Sequence, residues 1–330
     1  MSHGEAKFIK SIRLISSEGI RMKHTLKITA ILVIMFFVTQ MIGLFVAHTL
    51  LVTETTQVLN TQTGELENRT TYPNLPDAFE PPAELHPADA VKSIIVALIF
   101  AVCLMFLLMK LKAETFLRLW FFIVVIIGVA QTISAFVIHI PYSFWIGIIL
   151  AIPLAIFKVF KRHIIIHNIT ELLIYPGIAT FFIPILDVLT VVVLLVIISL
   201  YDMYAVWHAG FMQKMAKYQI EKVRVFSGFF VPYLAKKDRL ALKEAKATGK
   251  KGANVKVNLA ILGGGDVVFP ILLAGVVLRT LGVWQAIMVS IGATIALAYL
   301  FYTSEKGKFY PAMPFISIGC LIGLAVAYLI

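Results

Sequence analysis

The sequence predicts an all-α, polytopic membrane protein of about nine transmembrane helices, and three observations lead to that expectation. Hydrophobic residues make up 60% of the 330 positions, charged residues only 14%, and the mean hydropathy is +0.91; soluble domains carry about 25% charged residues. Apolar runs of membrane-spanning length recur along the chain. Lys and Arg are distributed between those runs with a strict alternation, which orients them.

Taken in order, the runs fall near 28–52, 91–109, 119–138, 142–159, 164–183, 185–206, 257–278, 283–302 and 311–330. The first is longer than a signal-peptide core and shows no small-residue cleavage site, so it reads as an uncleaved span. Pro176 lies inside the fifth and should kink or break it. Between the runs, 26 of the 29 Lys and Arg residues lie in the tail 1–27 and in the segments 110–118, 158–162, 207–256 and 303–310. Arg69, Lys92 and Arg279 alone belong to the opposite set. The N-terminus is therefore expected in the cytoplasm and, after nine crossings, the C-terminus outside.

Three parts follow from this layout: residues 1–206 with six helices, a basic cytoplasmic loop 207–256, and residues 257–330 with three helices. The outer loop 53–90 carries seven acids and "YPNLPDAFEPPAELHP", a composition that favours extended or mobile chain. The inner loop has twelve basic residues against Glu221, Asp238 and Glu244 and reads as a connector facing anionic lipid.

Several function classes lack support. The net charge of +11 has no stacking aromatics interleaved with it, so it reports orientation and not a nucleic-acid partner. Cys103 and Cys320 lie in different apolar runs and read as packing residues. His163 and His167 share a helical spacing but have no third ligand, and are expected at the interface beside Lys161 and Arg162. No phosphate loop, dinucleotide fingerprint or Ser/His/Asp pattern stands out, and no cofactor is implied. Asn68-Arg69-Thr70 is a glycosylation sequon on the expected outer side; Asn168-Ile169-Thr170 lies near the inner face.

Four acids lie in or at the edges of the apolar runs: Glu171, Asp187, Asp202 and Asp266. Glu171 and Asp187 stand close to expected helix ends, where a carboxylate reaches water and is structural. Asp202 in "ISLYDMYAV" and Asp266 in "LGGGDVVFP" lie inside their runs, where a carboxylate costs roughly 2.5–3.5 kcal/mol. At ~1.5 Å per residue they sit ~6 Å and ~13 Å above the inner ends of the sixth and seventh spans, so they can meet. A buried carboxylate pair shares a proton, and its two members can serve as general base and general acid toward an amide. Gly263, Gly264 and Gly265 would then let a peptide approach the backbone beside Asp266. Pro311 and Pro314 in "YPAMPF" leave irregular backbone near the inner surface, tolerated where it lines a watery cavity.

"YD" in the sixth span, "GGGD" at 263–266 and "PAMP" at 311–314 together resemble the presenilin and signal-peptide-peptidase family of GxGD intramembrane aspartyl proteases. The resemblance is to a microbial-type member. It implies that Asp202 and Asp266 are catalytic, that Tyr201 and Gly263 to Gly265 support the site, and that Pro311, Ala312 and Met313 help to form it. The expected orientation is similar to presenilin and opposite to signal peptide peptidase. Where the family has Pro-Ala-Leu this chain has Met313, which conserves volume. The implied function is a protease that hydrolyses peptide bonds within transmembrane helices, with membrane-protein substrates and lipids as partners and a homo-oligomer compatible with it. As a multi-pass protein it would sit in the cell membrane of a prokaryote. An ion-coupled transporter or channel is the alternative that intramembrane Asp residues and Gly-interrupted helices also fit; a helix scaffold has no need of two buried acids.

Overall fold

The computed structural model describes residues 26–59, 66–76, 79, 87–111, 113–161, 163–206, 227–234, 257–304 and 310–330. These residues are mostly helical. Helix α1 covers Leu26–Leu50, followed by strands β1 (Glu54–Leu59) and β2 (Leu66–Thr71). Then come α2 (Pro87–Lys110), α3 (Glu114–Phe136), α4 (Ser143–Ile156), α5 (Ile164–Phe182) and α6 (Val188–Tyr204). Strands β3 (Gly228–Leu234) and β4 (Val257–Gly263) precede α7 (Gly264–Thr280), α8 (Val283–Thr303) and α9 (Met313–Ala327). Among the described residues, five helical stretches are long and apolar enough to cross a membrane, and Lys92–Leu108, Val188–Tyr204 and Met313–Ala327 are shorter apolar ones.

Each expected run overlaps a helix, because an apolar stretch of this length can satisfy its backbone in lipid only internally. The all-α expectation needs two corrections. Residues 257–263 form strand β4 and not the start of a helix, so α7 begins only two positions before Asp266, at Gly264. The outer segment, expected to be extended or mobile chain, contains the antiparallel β1–β2 pair, with Glu54 opposite Thr71 and Leu59 opposite Leu66. The loop 207–256 is likewise more than a connector, since β3 within it pairs antiparallel with β4 from Gly228↔Gly263 to Leu234↔Val257. The remainder of that loop, and most of the N-terminal tail, lie outside the described residues.

Helix α7 is the hub. Gly264, Val267 and every residue from Pro270 to Leu278 are buried, as expected of a helix that is apolar all round and packed on all sides. Its neighbours are α1, α5, α6, α8 and α9. Lipid offers apolar side chains no net drive to associate, so helix contact depends on close packing of small residues. At Gly323 of α9 an added Cβ would lie 2.8 Å from Val289 Cα of α8, closer than any side chain permits. Gly43 brings α1 onto α7 in the same way, where a Cβ would meet Ile271 Cγ2 at 2.6 Å.

The two prolines within α5 and α7 do not end their helices, so of the kink or break expected at Pro176 the break does not occur. Each is accommodated by a neighbour's polar side chain. Thr132 Oγ1 of α3 donates to Leu173 O at 2.6 Å, three residues before Pro176. Gln40 Nε2 of α1 donates to Val267 O at 3.1 Å, three residues before Pro270. Proline disturbs the preceding turn of its helix, and in a membrane helix neighbouring side chains must serve the carbonyls that are freed.

Candidate active site

Two helix N-termini and one helix C-terminus meet at the site. Asp202 lies in the last turn of α6 and is buried, 7% exposed. Its Oδ2 accepts the Met313 N–H at 3.1 Å, and the Ala312 N–H also bonds the carboxyl group. Met313 is the first residue of α9, so its N–H has no partner within the helix, and a carboxylate there is favoured by the helix dipole as well. Pro314 occupies the first turn of α9, while buried Pro311 precedes it. The prolines thus fix where α9 starts, and the start supplies donors to Asp202.

Asp266 stands in the first turn of α7 and is partly buried, with a backbone hydrogen bond from Gly263. Asp202 and Asp266 lie within electrostatic reach of each other. Tyr201 is partly buried beside Asp202. The three glycines, given one role on sequence grounds, occupy three environments. A Cβ on Gly263 would lie 3.2 Å from Asp266 Oδ2; on Gly264 it would lie 2.7 Å from Tyr175 Cε1 and 2.8 Å from Ser227 Oγ; on Gly265 nothing is nearer than Phe269 Cε2 at 3.9 Å.

Sequence reasoning missed several residues. Ser199 and Ser317 share a 2.9 Å buried hydrogen bond that ties α6 to α9 one turn away from Asp202 and Met313. Gly228 opens β3 at φ 152°, a conformation that favours glycine. Glu171, expected at a water-facing helix end, is fully buried and paired with Lys158. His167 is buried as well. Lys158 was counted among inner-loop charges; it is 4% exposed within the π-helical turn Phe157–Lys161 that continues α4. Asp187 does sit at a helix end, capping α6 through Thr190 N at 2.6 Å. Cys320 is buried, whereas Cys103, expected to pack, is exposed on the protein surface.

Fold and site together describe a membrane-embedded protein with a pair of helix-terminal aspartates. A family model for signal-peptide peptidase, presenilin aspartyl protease matches residues 68–330, and the chain belongs to that family. Two solved structures of a presenilin family intramembrane aspartate protease share the fold. The one in space group C222 aligns with a TM-score of 0.58 at 17% identity, over 91% of this chain and 98% of its own. The one in space group P2 gives 0.56 at 16%, over 90% and 96%. A comparison with curated proteins finds no match.

Proposed function

We propose that the protein is an intramembrane aspartyl endopeptidase that cleaves peptide bonds within transmembrane helices, using Asp202 and Asp266 as the catalytic pair. The observation that carries this reading is the proximity of two carboxyl groups at helix termini in a chain of the presenilin aspartyl protease family. One carboxylate, ionised, takes a proton from water as the oxygen attacks the amide carbon; the other, protonated, donates to the carbonyl oxygen. Transfer of a proton to the amide nitrogen then allows the C–N bond to break, and the pair returns to its shared-proton state. Water is consumed and the residues are regenerated.

A helical substrate hides its amides in its own hydrogen bonds, so a segment must become extended before attack. The β3–β4 pair offers a template by strand addition. Neighbouring residues of an antiparallel strand turn their backbone groups alternately to the partner and away. Phe230 bonds its N–H and C=O to Asn168 at 3.0 and 2.7 Å, so it faces away from β4, and its partners in register make Leu259 and Ile261 the outward residues of β4. Among the described residues nothing hydrogen-bonds that edge. It is the edge a substrate strand would take, leading to Gly263 and Asp266.

The test is purified full-length protein with a transmembrane peptide and mass detection of products. Asp202→Asn and Asp266→Asn should each lower turnover at least ~10³-fold while the protein stays folded. The double variant should be hardly worse, because residues acting as a unit are not additive. Turnover should fall at low pH, where both carboxyls are protonated and no base remains, and at high pH, where both are ionised and no acid remains. Efficient cleavage by either single variant refutes the assignment. The proposal also takes nine crossings with the N-terminus in the cytoplasm, so reporters within 207–256 and at residue 330 should report opposite sides.

A further inference from the structure

A group of buried polar residues on α5 takes no part in the chemistry just described. Lys158, from the π-helical turn, pairs with Glu171 Oε1. His167 Nε2 lies 3.4 Å from the same oxygen. Lys158 and Glu171 are 4% and 0% exposed, and an ion pair withdrawn from solvent is costly to bury. Something beyond mutual attraction has to make use of it.

The remaining contacts of this group converge on one strand. Glu171 Oε1 accepts the Gly228 N–H at 3.2 Å. His167 Nε2 is 2.8 Å from Gly228 O; a carbonyl only accepts, so Nε2 bears the hydrogen. Asn168 grips Phe230 at both its N–H and its C=O, and the His167 ring stacks on the Phe230 ring with centroids 4.7 Å apart. One turn further, the Tyr175 hydroxyl lies 3.3 Å from Ser227 Oγ, and its ring meets Phe229 edge-on. Gly228 and Phe230 are two apart in β3, so the side chains of α5 fill the outer edge of β3 where another strand would pair.

We propose that His167, Asn168 and Glu171 of α5, with Lys158 charge-balancing Glu171, are positioning residues that hold β3 in place. They thereby set the register in which β4 presents a substrate strand to Asp266. This rests on the protease reading above. β4 is fixed residue by residue to β3 and continues directly into α7. A shift of β3 against α5 therefore moves the edge that receives substrate relative to the carboxyl groups. A displacement of about 1 Å near reacting groups can cost ~10²-fold in rate.

Asn168→Ala removes both bonds to Phe230 without touching either aspartate or the ion pair. In full-length protein, amide exchange of peptides within 227–234 should become about tenfold faster, with α8 unchanged. Product masses should show cleavage spreading to neighbouring bonds, with KM raised more than kcat lowered. Unchanged exchange in 227–234, or wild-type cleavage bonds at a rate scaled only to the folded fraction, overturns the proposal.

Glu171→Gln alone strands the Lys158 charge, so the Glu171 arm uses paired substitutions. Lys158→Met with Glu171→Gln keeps an oxygen for the Gly228 N–H and should retain the wild-type cleavage bonds. Lys158→Met with Glu171→Leu loses that acceptor and should shift them. Wild-type bonds in both paired variants count against the proposal. Wild-type protein that cuts no transmembrane peptide overturns the protease reading instead, and the exchange of 227–234 in Asn168→Ala still decides whether α5 anchors the strand.

Discussion

The described residues form two β-hairpin-like pairs, connected to opposite ends of α7, and they are built differently. β3–β4 runs into the first turn of α7, at Gly264. β1–β2 is followed by Tyr72, whose hydroxyl accepts from Arg279 Nη2 at 2.8 Å in the last turn of the same helix. β3 and β4 read "GFFVPYL" and "VNLAILG", with Phe229 fully buried and Ala260 and Leu262 almost so. β1 and β2 read "ETTQVL" and "LENRTT", and Glu54, Thr55 and Thr70 are exposed. The outer pair is tied to the helices below its strands, through Tyr72, Arg279 and the Asn74 Nδ2 bond to Thr49 O at 2.8 Å. The inner pair is gripped along the strand itself. On the proposed protease reading, backbone that must hold a fixed position against a reacting group is anchored by buried polar side chains, while backbone that only spans a gap is anchored at its ends.

The strongest test of this contrast is at the three glycines where the inner pair passes into α7. Gly264→Ala would drive a Cβ into Tyr175 and Ser227, both of which contact β3, so neither can move without shifting the strand. Overpacking of this kind costs about 1–3 kcal/mol, and the displacement should lower turnover by about a hundredfold. Gly263→Ala puts its methyl against the Asp266 carboxyl with only that side chain to yield. About tenfold is expected there. Gly265→Ala meets only ordinary contact with Phe269 and should stay within about twofold, with a small gain in helix stability. Equal effects at 263, 264 and 265 would mean that close approach of substrate, and not packing against Tyr175, is the common reason for all three. Turnover and thermal unfolding of the three variants, measured together, separate these outcomes.

That three adjacent glycines differ was not legible in the sequence, although the helices were. An apolar run of span length has one way to satisfy its backbone in lipid, so each of α1 to α9 overlaps a run that hydropathy marks, with ends displaced by several residues. Residues 257–263 broke the rule because a seven-residue stretch that is apolar apart from Asn258, joined directly to an apolar helix, read as one run; periodicity does not separate a short buried strand from a helix. The aspartates stood out because each is costly where it lies. Their surroundings did not, since Tyr175 and Ser227 are far from Gly264 in sequence. Glu171 was misplaced for a related reason: its partner Lys158 is thirteen residues earlier on a turn of π-helix, where side-chain direction departs from the ordinary helical repeat. One signal was present. His167, Asn168, Glu171 and Tyr175 fall on one face of α5, a polar stripe inside a membrane-spanning run.

The smallest effect is expected at the outer pair. Thr55 faces Thr70 across β1–β2, and both are exposed. Thr55→Pro removes a backbone donor and fixes φ, which is costly within a paired strand. Because the latch through Tyr72, Arg279 and Asn74 lies beyond the strands, α7 should keep its position and the aspartates their separation. Turnover and cleavage bonds should then stay within about twofold of wild type, well below the loss expected at Gly264. Amide exchange should rise in 54–59 and 66–71 alone. A clear rise in KM in Thr55→Pro, with kcat kept, would break the comparison: it would make the outer strands part of substrate capture, and anchoring at the ends would no longer mark a segment that takes no part in the reaction.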